Sequence, residues 1–173
     1  MRVKVLMAIA AICVGSLALA GCNQQQASNT TTTAAPGSGA ATQTDMSPEG
    51  NTKFLADNAK KEGVKTTASG LQYRVVKAGS GKSPAVSDQV TVTYKGWLID
   101  GTVFDQTAPG QSATFPTGQL IPGWVEALQL MKEGDEWEIV IPSNLGYGEA
   151  GAGGVIPPNQ TLVFDMALLT VQK

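Results

Sequence analysis

The feature that most restricts the fold of this chain is a single helical pattern set among short extended ones. Residues 122–134, PGWVEALQLMKEG, carry apolar residues at the spacing i, i+3, i+4 and i+7, and Gly134 closes the segment. These apolar positions are Trp124, Ala127, Leu128 and Met131. One amphipathic helix of about three turns cannot form a bundle, so its apolar stripe has to pack against a sheet.

The segments around this helix alternate apolar and polar residues, as strands with one buried face do. The clearest cases are QVTVTYKGWL (89–98) and LQYRVVK (71–77), and Asp100-Gly101 predicts a hairpin turn. Further extended segments lie at 102–105, 113–116, 135–142 and 161–172. The sequence therefore predicts an α+β fold, with an antiparallel sheet of about five strands curled around one short amphipathic helix.

The segment GYGEAG (146–151) has the G-x-G-x-x-G spacing of dinucleotide-binding loops. Such a loop must open into a helix whose first amides face the pyrophosphate. Here Pro157 and Pro158 follow closely and oppose a helix, and no Lys or Arg between Lys132 and Lys173 can neutralise a phosphate. The spacing alone is weak evidence for a nucleotide site, so the glycines need another explanation.

The first 21 residues have the pattern of a secretory signal peptide. Two cations precede an uncharged apolar run, and LAGC (19–22) resembles the lipobox at which bacterial lipoproteins are cleaved and acylated. We expect Cys22 to become the lipidated N-terminus, with ordinary cleavage or an uncleaved anchor as alternatives. Several acyl chains anchor a protein stably. Asn23 stands where an Asp would favour the inner membrane, so the outer membrane is favoured.

Charge and residue usage exclude several function classes. The chain has 12 basic and 14 acidic residues, and Arg2 and Lys4 leave with the signal, so the mature protein is acidic and a nucleic-acid partner is not expected. There is no His, and the two cysteines are Cys13 in the signal and the acylated Cys22. Zinc sites, catalysis by Ser–His or Cys–His pairs and disulfides are thereby excluded. We expect no metal and no cofactor.

The mature chain divides into three parts. Residues 22–50 predict a flexible low-complexity tether, because 23–50 hold no aromatic residue and no Leu, Ile or Val. A short helix is predicted at 51–65, with Gly63 as its stop. The length from 66 to 173 suits one compact domain, with its core at 87–173.

Four segments, in order, resemble the FKBP-type peptidyl-prolyl cis-trans isomerase domain. They are VTVTYKGWLIDGTVFD (90–105), FPTGQLIPGWVEALQLMKEGD (115–135), IPSNLGYG (141–148) and VIPPNQTLVFDMALL (155–169). The preceding FLADNAKKEGVKTTASGLQY (54–73) resembles the junction in bacterial Mip-like and FkpA-like members, which dimerise through a long N-terminal helical region. Only the tail of that region is recognisable here, so the resemblance implies an FKBP-like fold and a monomer.

The resemblance also implies a proline pocket. Position by position, its lining is Tyr94, Phe104, Asp105, Leu120, Ile121, Trp124, Tyr147, Val155, Ile156 and Phe164. We expect catalytic roles for Asp105, Tyr147 and Phe104, and substrate binding by the other seven. Taken singly, the strand aromatics would be assigned to the core. Their joint occurrence with the motifs favours the pocket.

Individual roles follow from the same resemblance. Trp124 would form the floor under the proline ring, and the Ile121 amide and Tyr147 hydroxyl would donate to substrate carbonyls. Val155 and Ile156 would form one wall, with Asp105 near the rotating bond. The family also binds macrolides such as tacrolimus and rapamycin. The short loop 105–115 lacks the arginine that pairs with the aspartate in eukaryotic members. This difference bears on macrolide affinity and on the preference for residues that flank the proline.

The implied activity is cis-trans isomerisation of X–Pro bonds in folding envelope proteins, without a covalent intermediate. The alternative is a chaperone module that binds proline loops with little turnover. A spacer lipoprotein without a pocket is a third possibility, which the complete residue set disfavours. The expected location is the bacterial envelope, lipid-anchored at Cys22 in the outer membrane, on either face.

Overall fold

The computed structural model describes residues 44–173. The predicted signal peptide (1–21), Cys22 and the predicted tether as far as residue 43 lie outside these residues. The described elements are α1 (Pro48–Asn58), β1 (Val64–Thr66), β2 (Gln72–Lys77), β3 (Gln89–Leu98), β4 (Val103–Gln106), β5 (Ala113–Pro116), α2 (Pro122–Leu130), β6 (Glu136–Ile141) and β7 (Leu162–Gln172). Single-turn 3-10 helices lie at Thr117–Gln119, Ser143–Leu145 and Gly148–Ala150.

All strands of residues 44–173 pair antiparallel in one seven-stranded sheet. Its order is β1-β2-β6-β7-β3-β4, and β5 pairs with β3 as well. β4 and β5 share one edge of β3, at Lys95–Trp97 and at Gln89–Val92 respectively. The predicted α+β architecture is confirmed, but the count of about five strands was too low. The strand β1 was missed because three residues are too few to show an alternation.

Helix α2 packs on one face of the sheet with the predicted apolar stripe. Trp124, Ala127 and Leu128 are buried there, and a Cβ at Gly123 would lie 2.5 Å from Ile141 Cγ2. This close seating explains a glycine in the first turn of the helix. The helix was predicted to reach Gly134 but ends at Leu130, because Met131 turns to an extended conformation and is itself buried in the core.

Helix α1 lies on the opposite face of the sheet. Val140 and Val163 are buried on that face, since they alternate with core residues of β6 and β7. Asn58 of α1 donates to Gln72, which pairs with Val140 in the same row. No helix of residues 44–173 is long and apolar enough to cross a membrane.

The boundaries of α1 differ from the prediction of a tether to residue 50 and a helix at 51–65. The helix starts at Pro48, with the Ser47 hydroxyl accepting the Gly50 N–H at 3.1 Å. A serine cap followed by proline at the first position is a common helix start. The helix ends at Asn58, and Gly63, at φ 77°, instead turns the chain into β1.

Candidate active site

A cavity of about 170 Å³ opens between the N-terminal end of α2 and the strands β3, β4, β5 and β7. Each strand places at least one aromatic ring around it, and the segment before α2 adds two aliphatic residues. The lining consists of Tyr94, Phe104, Asp105, Phe115, Leu120, Ile121, Trp124, Tyr147 and Phe164. The cavity is therefore mostly apolar, with a few polar groups at its edge.

Trp124 is buried at the bottom of the cavity, with 5% of its surface exposed. Its ring meets those of Tyr94 and Phe164 edge to face, at centroid distances of 5.0 and 5.2 Å. Phe115 approaches it in the same way at 6.2 Å. The indole Nε1 is buried without a hydrogen-bond partner among the described residues. The floor of the cavity is thus a cluster of rings around Trp124, whose indole N–H has no partner among residues 44–173.

Phe104 and Phe164 form one wall, and their close contact depends on a glycine. Their rings meet edge to face at 5.4 Å. A Cβ at Gly96, on β3, would lie 2.6 Å from Phe164 Cε1 and 2.8 Å from Phe104 Cζ. These distances are too short for carbon atoms, so Gly96 makes room for both rings.

The polar side of the cavity is built around Asp105. The Tyr94 hydroxyl donates to Asp105 Oδ2 at 2.7 Å. Burial, this hydrogen bond and the charge of Asp105 raise the pKa of Tyr94. Burial and the Asp105 charge also raise the pKa of Tyr147. Both phenols therefore stay protonated, and the Tyr147 hydroxyl makes no hydrogen bond to another described residue.

The backbone of Ile121 lies at the N-cap of α2, where the φ and ψ angles are −60° and 147°. Its carbonyl accepts from the amides of Trp124 and Val125, at 2.9 and 3.1 Å. Its own N–H makes no hydrogen bond to residues 44–173. Ile121 also lines the cavity, so a residue with an unpaired N–H among the described residues lies at this site.

The structure brings together eight of the ten residues predicted from sequence and leaves two outside the lining. Val155 is 52% exposed, and Ile156 is 7% exposed and packs in the core. The loop folds back on itself, because Ala152 and Ile156 exchange two backbone hydrogen bonds of 3.0 Å. This turn directs Val155 toward solvent and Ile156 inward.

Phe115 lines the cavity and was not among the predicted site residues. It occupies an alternate position of the short strand β5, opposite Val90. The alternation in ATFP (113–116) is the signal that could have found it. Its contact with the floor depends on β5 sharing the edge of β3, which the sequence does not show.

The glycine-rich segment forms a compact loop and does not open into an α-helix. A single 3-10 turn, Gly148–Ala150, is followed by turns and one isolated bridge. A Cβ at Gly151, whose φ is 62°, would overlap the Ile156 carbonyl oxygen. Close backbone approach and positive φ therefore explain a glycine at this position.

A larger, open depression of about 540 Å³ lies on the opposite face of the sheet. Arg74, Glu138, Asp165 and Lys95 form one row there across four strands. Arg74 pairs with Glu138 at 2.7 Å, while burial and Glu138 raise the pKa of Asp165. The charges compensate one another along the row, so this surface offers less specific chemistry than the smaller aromatic cavity.

The sequence and the fold of this chain are similar to those of known proteins. Residues 80–169 match the family described as FKBP-type peptidyl-prolyl cis-trans isomerase. Residues 5–75 match the domain amino terminal to FKBP-type peptidyl-prolyl isomerase. A crystal structure of a peptidyl-prolyl cis-trans isomerase from Pseudomonas syringae superposes with a TM-score of 0.69 at 38% identity, covering 72% of this chain and 92% of that one.

Two curated relatives are longer than this chain. The probable FKBP-type peptidyl-prolyl cis-trans isomerase FkpA of Neisseria meningitidis serogroup B is 60% identical over 119 residues, which are 68% of this chain and 44% of that protein. The outer membrane protein MIP of Legionella longbeachae is 52% identical over 121 residues, 69% of this chain and 52% of that protein. The chain thus spans about half the length of these relatives.

Proposed function

Because the chain belongs to the FKBP-type peptidyl-prolyl cis-trans isomerase family, we propose that it accelerates rotation about X–Pro bonds in polypeptides. The observation that supports this proposal is the aromatic cavity, which has Asp105, Ile121 and Tyr147 among its lining residues. A cavity of about 170 Å³ suits one small ring such as proline. The reaction needs no covalent intermediate, metal or cofactor.

The apolar lining acts on the electronic structure of the X–Pro bond. Rotation has to break amide resonance, which imposes a barrier of about 18–20 kcal/mol. The planar amide is charge-separated, and the twisted state is less so. Enclosure by Trp124, Phe104 and Phe164 removes water that solvates the planar form, so the twisted form is favoured relative to it.

The polar groups orient the substrate. The Ile121 N–H and the Tyr147 hydroxyl donate to substrate carbonyls and hold the chain on both sides of the proline. Asp105, oriented by the Tyr94 hydroxyl, lies near the rotating bond. Its negative charge opposes the partial negative charge on the carbonyl oxygen of the planar amide, which again favours the twisted state.

Replacement of Phe104 by alanine is expected to lower kcat/KM about five- to tenfold, because it opens a wall whose apolar contact is worth about 1–1.5 kcal/mol. The assay follows isomerisation of an Ala-X-Pro peptide by protease coupling or NMR exchange. Val103→Ala is the matched control, since Val103 is its neighbour on β4 and is 43% exposed. Full activity of Phe104→Ala would remove this residue from the site.

The same assay on the wild-type protein decides between the two functions. Catalysis of exchange supports an isomerase. Binding of proline peptides without faster exchange would contradict the isomerase and favour the chaperone module. Tacrolimus as a competitor of the peptide tests macrolide binding at the same cavity.

Activity is expected to change little between pH 6 and 8. The chain contains no His, and the raised pKa values of Tyr94 and Tyr147 keep both hydroxyls protonated over this range. A decline is expected only at alkaline pH, where the phenols begin to ionise. The measurement is kcat/KM against pH, with circular dichroism to verify folding. A bell-shaped profile centred near pH 6.5, where unperturbed His titrates, would contradict the site.

The location in the cell envelope is part of the proposal. A relative is named an outer membrane protein, and the LAGC segment supports acylation of Cys22. Mass spectrometry of the mature N-terminus tests the acyl chains, and membrane fractionation tests the outer membrane. A monomer stays a prediction, which sedimentation of the mature protein tests. The substrates are proline-containing segments of folding envelope proteins.

A further inference from the structure

Asn51 of α1 is a buried polar residue outside the cavity lining, with 4% of its surface exposed. Its Oδ1 accepts the N–H of Thr161 at 2.7 Å, a residue 110 positions later. Its Nδ2 donates to Gln160 Oε1 at 3.2 Å. The side chain of this helical residue is therefore hydrogen-bonded to Gln160 and Thr161, the two residues that precede β7.

Gln160 completes the network from the other side. Its Nε2 donates to the carbonyls of Met46 and Pro158, at 3.1 and 3.0 Å. Asn51 Nδ2 lies within hydrogen-bond distance of the Met46 carbonyl as well, at 3.1 Å. Both amide groups are thus satisfied, and removal of either side chain would leave buried polar atoms without partners.

This network lies at the base of the glycine-rich loop. The Asn159 N–H donates to the Gly148 carbonyl at 2.8 Å and closes the loop. Tyr147, whose side chain lines the cavity, directly precedes Gly148. The loop ends at Gln160, which Asn51 holds. Two sets of hydrogen bonds therefore link Asn51 to the residue next to Tyr147. One joins Asn51 to Gln160 and Thr161, and the other joins Asn159 to Gly148.

We propose that Asn51 is a positioning residue for the isomerase site. Through Gln160 and Thr161 it fixes the base of the loop 148–160 and so places the Tyr147 hydroxyl at the cavity. The inference rests on the proposed function, in which Tyr147 donates to a substrate carbonyl. Asn51 itself touches no cavity residue by hydrogen bond.

Gly50 allows the N-terminal part of this network to form. The chain at Asp45 folds back over the first turn of α1, and a Cβ at Gly50 would overlap the Asp45 carbonyl oxygen. This turn of the chain places the Met46 carbonyl within hydrogen-bond distance of the side-chain amides of Asn51 and Gln160. The variant Gly50→Ala therefore disturbs the Met46 contacts while leaving the side chain of Asn51 in place.

Asn58 offers a matched control on the same helix. It lies seven residues after Asn51, is 2% exposed and donates to Gln72 Oε1 at 2.9 Å. Gln72 Nε2 donates in turn to the Leu55 carbonyl at 2.9 Å. Asn58 fastens α1 to β2 and makes no hydrogen bond to the loop 148–160. Asn58→Ala therefore loosens the helix at the end remote from the loop.

The first experiment measures amide hydrogen exchange of residues 147–161 in the mature protein. Asn51→Ala is expected to raise exchange in this loop about tenfold over wild type, as a local destabilisation of about 1.4 kcal/mol would. Asn58→Ala should leave it within about twofold of wild type, once both are corrected for global stability. Equal loop exchange in Asn51→Ala and wild type, or an equal rise in both variants, would overturn the proposal.

The second experiment couples Asn51 to Tyr147 in the peptide assay. Asn51→Ala is expected to raise KM about fivefold with little change in kcat, because a substrate contact is lost in ground and transition state alike. In a Tyr147→Phe background the same change should have almost no further effect. Additive effects of the two substitutions would overturn the proposal, because a general structural role would act in either background.

The hydrogen-exchange and peptide-assay experiments test loop placement by Asn51 separately from isomerase activity. Hydrogen exchange does not depend on turnover, so an inactive wild-type protein would contradict the isomerase while loop placement by Asn51 is still tested. If Asn51→Ala does not fold, Gly50→Ala is measured instead and is expected to raise loop exchange about threefold, since it removes part of the same network. Unchanged loop exchange in Gly50→Ala would then count against the proposal.

Discussion

Replacement of Asp105 by alanine is expected to lower kcat/KM toward an Ala-X-Pro peptide about 10- to 30-fold. A hydrogen bond to a charged group contributes about 1.5–2 kcal/mol, which corresponds to that factor. The carboxylate lines the cavity and accepts from the Tyr94 hydroxyl at 2.7 Å. Its loss leaves the Tyr94 hydroxyl without its acceptor and removes the charge that the proposed mechanism places near the rotating bond.

Three further variants separate the contributions. Asp105→Asn keeps the shape and removes the charge, so it is expected to retain more activity than alanine but less than wild type. Tyr94→Phe removes the donor that orients the carboxylate. Asp100→Ala is the control, because Asp100 lies on the same hairpin and accepts from Thr102 within the turn. Wild-type kcat/KM in Asp105→Ala, with the fold verified by circular dichroism, would exclude a catalytic role.

Replacement of Asp135 by alanine is expected to lower the free energy of unfolding by about 2–4 kcal/mol, because two partly buried amides lose their acceptor at about 1–2 kcal/mol each. Asp135 is 5% exposed. Its carboxylate accepts the N–H groups of Gly79 and Lys132. It thereby joins the β2–β3 connection to the turn between α2 and β6.

Backbone packing around Asp135 leaves little room for compensation. A Cβ at Gly79 would lie 2.5 Å from the Asp135 nitrogen. Urea unfolding measures the effect, with Asp135→Asn expected to retain part of the stability because its carbonyl oxygen still accepts one hydrogen bond. Glu136→Ala is the control, since its pair with Lys77 is exposed and worth about 0.5 kcal/mol or less. An unchanged urea midpoint in Asp135→Ala would refute the structural role of this carboxylate.

The periodic parts of the sequence predicted local structure well. The strands β3 at 89–98 and β5 at 113–116 have the predicted bounds. The apolar stripe of α2 faces the core as its spacing indicated. Side-chain period is a property of a few adjacent residues, which explains why the sequence alone is sufficient for these features. The end of α2 could not be read in this way, because burial of Met131 in the core overrides the local pattern.

The candidate site was predictable from motifs more than from periodicity. The family motifs led to eight of the nine residues that line the cavity. Phe115 was missed because its place at the floor depends on β5 sharing the edge of β3 with β4. Val155 and Ile156 were expected in the lining, but the turn at Gly151 directs one outward and the other into the core.

The fold class, the amphipathic character of α2 and the family motifs could be predicted without a structure, because they depend on residues close together along the chain. Contacts between groups that are far apart along the chain, in contrast, are visible only in the folded protein. Gly96 makes room for the rings of Phe104 and Phe164. The Asn51 side chain accepts a hydrogen bond from the N–H of Thr161, 110 positions later. Such contacts arise from the closure of the whole sheet, so no local pattern reports them.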